Sequence, residues 1–347
     1  MLKPLLRSIT LLAITAAIFL ALFLGTAQRY LEAPIQLADG PVIWTIEKGS
    51  SLTTVNRKLH NRDILSHPRL LSLFARLTGK TAIQAGRYQI NSGDTATTLL
   101  HKFNRGAVIS YQITFPEGWN YKQWLAHLSS VEQFSDIATL SQKQIMLAAG
   151  IDKQHPEGWV FPDTYSYIST DTGIDILARA HRRMVEVLDR AWENRSANLP
   201  YKSAYQALIM ASIVERETGM VEERPAIAGV FVRRLNKGMR LQTDPTVIYG
   251  LGDVYKGNLK RSHLKTHSPY NTYMIKGLPP TPIAMPSAAA IEAALHPAAG
   301  TSLYFVARGD GGHYFSDNLE EHQKAVRKYQ IYRRAADYQS APKRDSK

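Results

Sequence analysis

The 347-residue sequence contains no cysteine. Such a chain forms no disulfide, has no thiol nucleophile and cannot ligate zinc through sulfur. An oxidising compartment is therefore permitted by the composition without being indicated by it. Acidic residues are also scarce, because 29 Asp and Glu stand against 42 Lys and Arg and leave a formal charge of +13. This surplus favours anionic surroundings such as nucleic acid, acidic lipid or an anionic polymer.

Signatures of nucleic-acid and metal binding are missing as well. The sequence has no Walker loop, zinc-finger spacing or RNA-recognition signature, so we expect no nucleic-acid partner and no cofactor. His313 follows two glycines without a cluster of further ligands, which predicts a turn and no metal site. Residues 321–347 hold eight basic and three acidic residues. They predict a charged helix over Leu319–Tyr338 and a disordered basic tail over 339–347.

One long hydrophobic run is present, at the N-terminus. Ser8–Gln28 is uncharged and as a helix would span about 30 Å, the thickness of a bilayer core. A cleaved signal peptide is the alternative, because Lys3 and Arg7 resemble its basic start. The run is longer than the usual signal core of about 7 to 15 residues, so we favour an uncleaved anchor. The two basic residues then keep the N-terminus in the cytoplasm, and the rest of the chain lies outside it.

Beyond the anchor, the composition is that of a globular protein, with 44% apolar and 20% charged residues, and the length allows about two domains. A strand-like stretch, a glycine and an amphipathic helix follow one another three times, around Gly49, Gly93 and Gly118. Offsets of +3, +6 and +10 from each glycine mark one helix face. These positions are Leu52, Val55 and Leu59, then Ala96, Leu99 and Phe103, then Tyr121, Trp124 and Leu128.

The second of these units, Tyr88–Leu99, resembles LysM modules, small folds that bind the glycan of peptidoglycan or chitin. The resemblance implies a LysM-like module over residues 42–110. A strand-turn-helix unit that only packs would give the same pattern, so both interpretations stay open.

Two carboxylates stand at the end of an almost wholly apolar helix, predicted over Tyr205–Thr218. A helix that is apolar all round is buried, and burial raises the pKa of a carboxyl group, as a general acid requires at neutral pH. Glu215 and Glu217 lie about 200° apart around the helix, so one can enter a cleft while the other meets solvent, Arg216 or Arg224. The periodicity does not choose between them.

Further candidates follow downstream. Gln242, Thr243 and Asp244 precede a predicted proline turn, and Tyr270 and Asn271 lie among loops rich in proline and glycine, where binding residues are common. We expect these five to position a substrate, and Asp244 is the candidate for a second catalytic carboxylate. Three other features are predicted to be structural: a packed aromatic corner at Trp159 and Phe161, a surface ion pair of Glu223 with Arg224, and a helix over Asp171–Asn194 with His181 on its wetter side.

Several motifs together resemble one family. They are Ala211–Thr218 with its Glu-x-Glu-Thr sequence, Gly238–Gly250, Tyr270–Tyr273, Gly277–Pro280 and Tyr304–Ala307, and in this order they are similar to the endolytic murein transglycosylase family (MltG, YceG-like). The resemblance implies an enzyme that cleaves the MurNAc–GlcNAc β-1,4 bond inside nascent peptidoglycan strands and leaves a 1,6-anhydroMurNAc end. It also implies an end to glycan elongation in association with peptidoglycan synthases. The family's essential carboxylate corresponds to Glu217.

The order of elements predicts an α+β fold rather than a doubly wound sheet. We predict a cytoplasmic N-terminus (1–7), an anchor (8–28), a stalk (29–41), the LysM-like module (42–110) and a mixed α+β catalytic domain (111–338). Such a protein would cross the inner membrane once and act in the periplasm on peptidoglycan glycan strands. Two alternatives remain: a muramidase-type hydrolase that uses Glu217 with Asp244, and a non-catalytic peptidoglycan-binding scaffold.

Overall fold

The computed structural model describes residues 2–153 and 155–332. The predicted α+β class is confirmed, because many helices accompany three two-stranded sheets in the described residues. The chain divides into two compact units, one ending at Gln112 and including Ser166–Asp171, the other made of the remaining residues from Ile113 onward. The predicted tail over 339–347 and the last part of the predicted terminal helix, 333–338, lie outside the described residues.

The N-terminal helix, α1 (Leu2–Glu32), contains an apolar stretch with a mean hydropathy of 2.2 over Thr10–Glu32, long enough to cross a membrane. It extends past the predicted anchor into the predicted stalk. Leu31 and Ile35 are buried in the core of the first unit, and the amide of Ile35 donates to the Asp94 carbonyl at 2.7 Å. The segment 29–41 is therefore packed in part, because its apolar residues find a hydrophobic core next to them.

The rest of the first unit is built from short elements: β1 (Val42–Ile46), α2 (Leu52–His60), α3 (Pro68–Leu77), β2 (Gly86–Ile90), α4 (Ala96–Arg105) and β3 (Ser110–Thr114). The strands β1 and β2 pair antiparallel, with Trp44 opposite Tyr88. Pairing of the first two predicted strands and the helix α3 between them did not follow from the sequence pattern. The division between the units falls within β3.

The repeated strand-glycine-helix pattern is confirmed in detail. All nine predicted face positions on α2, α4 and α5 (Tyr121–Ser129) are buried. Gly49, Gly93 and Gly118 have φ values of +80°, +94° and +72°, a conformation that favours glycine because it has no Cβ. Ser51 and Thr95 accept hydrogen bonds from backbone amides in the first turn and act as N-caps, a position that serine and threonine favour.

After α5 the chain continues with a 3₁₀ helix (Glu132–Thr139), α6 (Gln142–Ala148), β4 (Thr164–Ile168) and α7 (Gly173–Glu193). The division between the units also falls within β4, since Ser166–Asp171 belong to the first unit. The aromatic corner is confirmed, since Trp159 is 7% exposed and stacks on Tyr205. The predicted helix over Asp171–Asn194 is α7. The prediction for His181 is wrong: it is buried, and Nδ1 lies 2.8 Å from the Trp159 carbonyl, because a hydrogen bond satisfies the ring in the interior.

The remaining α-helices and strands are α8 (Ala204–Glu217), α9 (Arg224–Asn236), α10 (Asp244–Leu251), α11 (Arg261–Lys265), α12 (Ala288–Leu295), β5 (Tyr304–Ala307), β6 (His313–Ser316) and α13 (Leu319–Val326), which continues as a π-helix over Arg327–Tyr332. The strands β5 and β6 pair antiparallel. The predicted proline turn after Asp244 is instead the first turn of α10, since proline fits the start of a helix, where its missing N–H costs nothing.

Candidate active site

The helix α8 ends at Glu217, and Thr218 is its C-cap residue. Every residue from Ala207 to Glu215 is buried, as expected for a helix that is apolar all round. Glu217 is partly exposed and lines a cleft of about 680 Å³ in the second unit. The buried helix therefore presents its last carboxylate to a cavity that solvent and a ligand can enter.

Glu215 lies in different surroundings. It is 1% exposed, and its Oε1 lies 3.2 Å from Nη2 of Arg224. Its Oε2 accepts hydrogen bonds from the hydroxyl and the amide of Ser287, at 2.6 and 3.2 Å. The two carboxylates thus have separate environments, a salt bridge for Glu215 and a cleft for Glu217. The predicted surface pair of Glu223 with Arg224 is wrong, because Arg224 is 3% exposed and turns to Glu215.

Thr243 holds the carboxylate of Glu217. Its buried hydroxyl donates a hydrogen bond to Oε1 of Glu217. Thr243 occupies the N-cap position of α10, yet its side chain makes no capping hydrogen bond, since the hydroxyl is engaged by the carboxylate. Its amide in turn donates to Oγ1 of Thr272 at 3.0 Å. The hydrogen bond between Thr243 and Glu217 therefore joins two residues that lie 26 positions apart in the sequence.

Burial raises the pKa of Glu217 to about 7, because a poorly solvated carboxyl group resists ionisation. The hydrogen bond from Thr243 opposes this rise, the negative charge of Asp244 adds to it, and the positive charge of Arg216 again opposes it. Near neutral pH, Glu217 is therefore divided between its acid and its base form. A group with this property can both donate and accept a proton under physiological conditions.

Asp244 and Gln242 also line the cleft. The hydroxyl of Tyr273 donates to Oδ1 of Asp244 at 2.7 Å. Gln242 has a φ of +56°, which is uncommon for a residue with a side chain, and its Oε1 accepts a hydrogen bond from Nη1 of Arg234 at 3.2 Å. A backbone in an unfavourable conformation beside a cleft is a frequent property of functional sites.

Tyr270 and Asn271 are not among the residues that line this cleft. The Tyr270 hydroxyl lies 2.9 Å from Oγ1 of Thr281. Asn271 is 1% exposed, and its amide donates to the carbonyls of His263, Leu264 and Thr266. The structure therefore brings Gln242, Thr243 and Asp244 together with Glu217 and places the other two predicted residues in the adjoining loop.

The sequence interpretation missed several residues of the cleft. Tyr273 belongs to the Tyr270–Tyr273 motif but is not among the predicted site residues, although it carries the hydrogen bond to Asp244. Other missed residues come from α8, α9, β5, β6 and α13, and they include Arg216, Arg234, Tyr304, His313 and His322. His313 was predicted to lie in a turn and His322 in a charged helix. Their place in the cleft therefore becomes apparent only in the folded structure.

A second buried carboxylate, besides that of Glu215, was not predicted. Glu157 is 2% exposed. It accepts hydrogen bonds from the Tyr121 amide at 3.0 Å and from the Tyr249 hydroxyl at 2.9 Å. Burial raises its pKa to about 7. Its position beside Trp159, in an aromatic-rich segment with few charged residues, was the sequence signal that could have identified it.

No group of three or more potential metal ligands occurs among residues 2–153 and 155–332. His313 instead lies in β6 and contacts Glu223, its Nδ1 being 2.8 Å from Oε2. The cleft thus contains carboxyl, hydroxyl, imidazole and guanidinium groups, a set suited to proton transfer and to hydrogen bonding of a polar ligand.

Comparison with known proteins finds relatives over most of the chain. The sequence model of the YceG-like family matches residues 44–328. The endolytic murein transglycosylase of Bacillus subtilis (strain 168) is 32% identical over 304 residues, which are 82% of this chain and 83% of that protein. That of Streptococcus pneumoniae (strain D39) is 28% identical over 318 residues, 81% of this chain but 57% of that longer protein.

A solved structure is similar as well. The crystal structure of a YceG-like protein from Listeria monocytogenes aligns with a TM-score of 0.51 and 27% sequence identity, and the alignment covers 82% of this chain and 98% of that one. The family match extends over most of the chain and includes both compact units. From its sequence and its fold, the chain belongs to the YceG-like family.

Proposed function

We propose that this chain is an endolytic lytic transglycosylase of peptidoglycan, which cleaves the MurNAc–GlcNAc β-1,4 bond within nascent strands and leaves a 1,6-anhydroMurNAc end. The general activity is supported by the names of the relatives from Bacillus subtilis and Streptococcus pneumoniae. The observation that carries the proposal is Glu217, a cleft carboxyl group with a pKa of about 7 held by Thr243. One such group is sufficient for this reaction.

In the first step, Glu217 is protonated and donates its proton to the glycosidic oxygen. The bond between that oxygen and C1 of MurNAc breaks, and C1 takes on oxocarbenium character. The raised pKa matters here, because a carboxyl group with an ordinary pKa would be almost wholly ionised at neutral pH and could not donate.

In the second step, the Glu217 carboxylate accepts the proton of the C6 hydroxyl of the same MurNAc. The oxygen of this hydroxyl bonds to C1 and closes the anhydro ring, so that Glu217 ends the cycle protonated as it began. The attack is intramolecular and has a high effective molarity, hence it needs neither a water molecule nor a second carboxylate. Ordinary glycosidases, in contrast, use a pair of carboxylates.

Other predicted residues have supporting roles in this proposal. Gln242 and Asp244 line the cleft and would contact the sugar, while Thr243 would position the acid. Tyr270 and Asn271, predicted as substrate-positioning residues, would act by ordering the loop that carries Tyr273.

One observation favours a second candidate function. Asp244 lines the same cleft as Glu217 and raises its pKa, so it could activate a water molecule for hydrolysis in the manner of a muramidase. Hydrolysis would give reducing ends, whereas the transglycosylase reaction gives anhydro ends. The products therefore distinguish the two mechanisms.

The proposal extends to location and partners. The apolar part of α1 would anchor the protein in the inner membrane, with residues 1–7 in the cytoplasm because of Lys3 and Arg7. The LysM-like module, residues 42–110, would bind glycan, and residues 111–338 would form the catalytic domain in the periplasm. An enzyme placed there could end elongation in association with peptidoglycan synthases.

The test is a product analysis. Purified peptidoglycan sacculi are incubated with the protein, and the soluble products are analysed by mass spectrometry. Anhydro-muropeptides support the proposal, reducing ends support the muramidase, and absence of cleavage supports a binding scaffold. Glu217→Gln should abolish product and leave the fold intact. Full activity of this variant, together with loss of activity in Glu215→Gln, would assign the acid to Glu215 instead.

A further inference from the structure

His313 and Glu223 form a hydrogen-bonded pair that the proposed mechanism does not use. Glu223 ends a short 3₁₀ helix (Val221–Glu223), six residues after Glu217. Its Oε2 lies 2.8 Å from Nδ1 of His313, and its Oε1 accepts the His313 backbone amide at 2.9 Å. One carboxylate thus binds both the ring and the main chain of the same histidine.

The position of this ring is tightly determined. His313 is 8% exposed, and the Phe305 ring contacts it edge to face, with centroids 5.3 Å apart. Gly312 makes room for the carboxylate, since a Cβ there would lie 3.0 Å from Oε1 of Glu223. A ring fixed by a carboxylate and an aromatic neighbour loses little conformational entropy when it binds a ligand.

The other ring nitrogen has a different environment. His313 lines the same cleft as Glu217. Among residues 2–153 and 155–332, its Nε2 has no hydrogen-bond partner. It is also not one of the polar atoms there that are both unpaired and inaccessible to solvent. In the neutral ring, the carboxylate on Nδ1 holds the proton on that nitrogen, which leaves Nε2 as an acceptor. The cleft is therefore offered a fixed hydrogen-bond acceptor.

We propose that His313 is a substrate-binding residue whose Nε2 accepts a hydrogen bond from an amide N–H or a hydroxyl of an N-acetylhexosamine, while Glu223 is the positioning residue that fixes its tautomer. This inference rests on the proposed function, which makes a glycan the ligand of the cleft. A carboxylate of the peptide stem is a poorer match, because it would meet an acceptor nitrogen with Glu223 behind it.

Two substitutions separate substrate binding from a merely structural role. The amide of asparagine stands two bonds from Cβ, as Nδ1 of histidine does, so His313→Asn retains a donor to Glu223 and lacks the cleft nitrogen. The amide of glutamine stands three bonds from Cβ, as Nε2 does, so His313→Gln restores the cleft group and loses the contact with Glu223. A structural role would be preserved by asparagine and a binding role by glutamine.

The experiment uses the full-length protein in detergent. Binding of purified, uncross-linked peptidoglycan glycan strands is measured by calorimetry in the Glu217→Gln background, and KM and kcat are measured in the active enzyme. We expect His313→Asn to weaken binding and raise KM about 10-fold, the loss typical of one well-placed hydrogen bond, with little change of Tm. His313→Gln should recover part of the affinity despite a lower Tm.

The matched control is His296→Asn. His296 also contacts a glutamate, with Nε2 3.4 Å from Oε1 of Glu292, but it does not line the cleft. Its exchange should leave binding and KM unchanged.

The inference is overturned if His313→Asn binds and turns over glycan like the parent protein, or if both variants lose affinity in proportion to their loss of Tm. Its failure differs from failure of the proposed function. If the unsubstituted enzyme cleaves glycan and His313→Asn is unaffected, only the inference fails. If the unsubstituted enzyme leaves glycan intact, the proposed function fails. If, in addition, the Glu217→Gln protein does not bind glycan strands at all, both the proposed function and the inference about His313 are rejected.

Discussion

The hydroxyl of Thr243 donates a hydrogen bond to Oε1 of Glu217, although one residue precedes α10 and the other ends α8. The bond occupies one carboxylate oxygen and leaves Oε2 for the cleft. It also favours the ionised form and so limits the rise in pKa that burial causes. Thr243 therefore acts on both the direction and the acidity of the proposed catalytic acid.

Thr243→Val retains the size of the side chain and removes this bond. The pKa of Glu217 should rise, because the bond that stabilises its ionised form is lost. Since the protonated form starts the reaction, the high-pH limb of the rate profile should move to higher pH. The maximal rate should fall about 10- to 100-fold as the carboxyl group loses its fixed direction. The measurement is kcat/KM between pH 5 and pH 9.

Thr301→Val is the matched control for this exchange. The Thr301 hydroxyl also donates to a carboxylate, Oδ2 of Asp317 at 2.6 Å, but neither residue lines the cleft, so neither the limb nor the maximum should move. An unaltered profile in Thr243→Val would show that the hydrogen bond has no part in the reaction.

Glu215→Gln should change stability more than chemistry. It removes the negative charge that lies 3.2 Å from the buried guanidinium of Arg224. Among residues 2–153 and 155–332, the acidic group that remains near Arg224 is the half-exposed Glu117, at 3.6 Å. Loss of one member of a buried pair costs about 3 kcal/mol of unfolding free energy. Urea unfolding measures the loss, and activity at low temperature should persist. A variant as stable as the parent but inactive would contradict this assignment.

Local patterns were sufficient for much of the fold. The spacing of Leu52, Val55 and Leu59 predicted a buried helix face because a helix repeats every 3.6 residues whatever surrounds it. The apolar run before Glu217 likewise predicted a buried helix with a carboxylate at its end. Each of these inferences needed only residues within about ten positions of one another.

Contacts between distant segments were beyond such reasoning. The sequence interpretation chose Tyr270 and Asn271 from a motif in which Tyr273 reaches the cleft, because adjacent loop residues have no periodicity to separate them. Thr243 was chosen for contact with substrate, yet its hydroxyl is bonded to Glu217. His313 was read as part of a turn, since its relation to Glu223 depends on the packing of β6 against a segment 90 residues earlier.

The segment between anchor and module provides a test of packing. A protein that begins at Arg29 retains Leu31 and Ile35, which are 7% and 8% exposed in the first unit. One that begins at Val42 loses both, and with them the hydrogen bond from Ile35 to Asp94. Two lost buried side chains correspond to about 3 to 5 kcal/mol.

We therefore expect the protein beginning at Arg29 to be soluble without detergent. It should unfold at the same denaturant concentrations as the parent. In the protein beginning at Val42, the transition of the first unit should shift to much lower denaturant. Equal unfolding of the two would mean that residues 29–41 are a stalk without structural importance.

Glu157 should make stability depend on pH in a direction opposite to that of most carboxylates. Burial raises its pKa from 4.5 to about 7, so between these values the folded protein retains a proton that the unfolded chain has lost. The unfolding free energy contributed by this group is complete below pH 4.5 and falls by up to about 1.4 kcal/mol per pH unit until pH 7, where both states are ionised and the fall stops.

Glu157→Gln cannot ionise, so it is exempt from this fall, while its amide can still meet Tyr121 and Tyr249. The stability of the variant relative to the parent should therefore increase from pH 4.5 to pH 7 and then stay constant, as measured by urea unfolding at each pH. Tyr249→Phe supplies the opposite case. Its missing hydroxyl no longer favours the ionised carboxylate, so the pKa of Glu157 rises further and the fall continues to higher pH. A difference between Glu157→Gln and the parent that is the same at every pH would place this carboxyl group in solvent and contradict its burial.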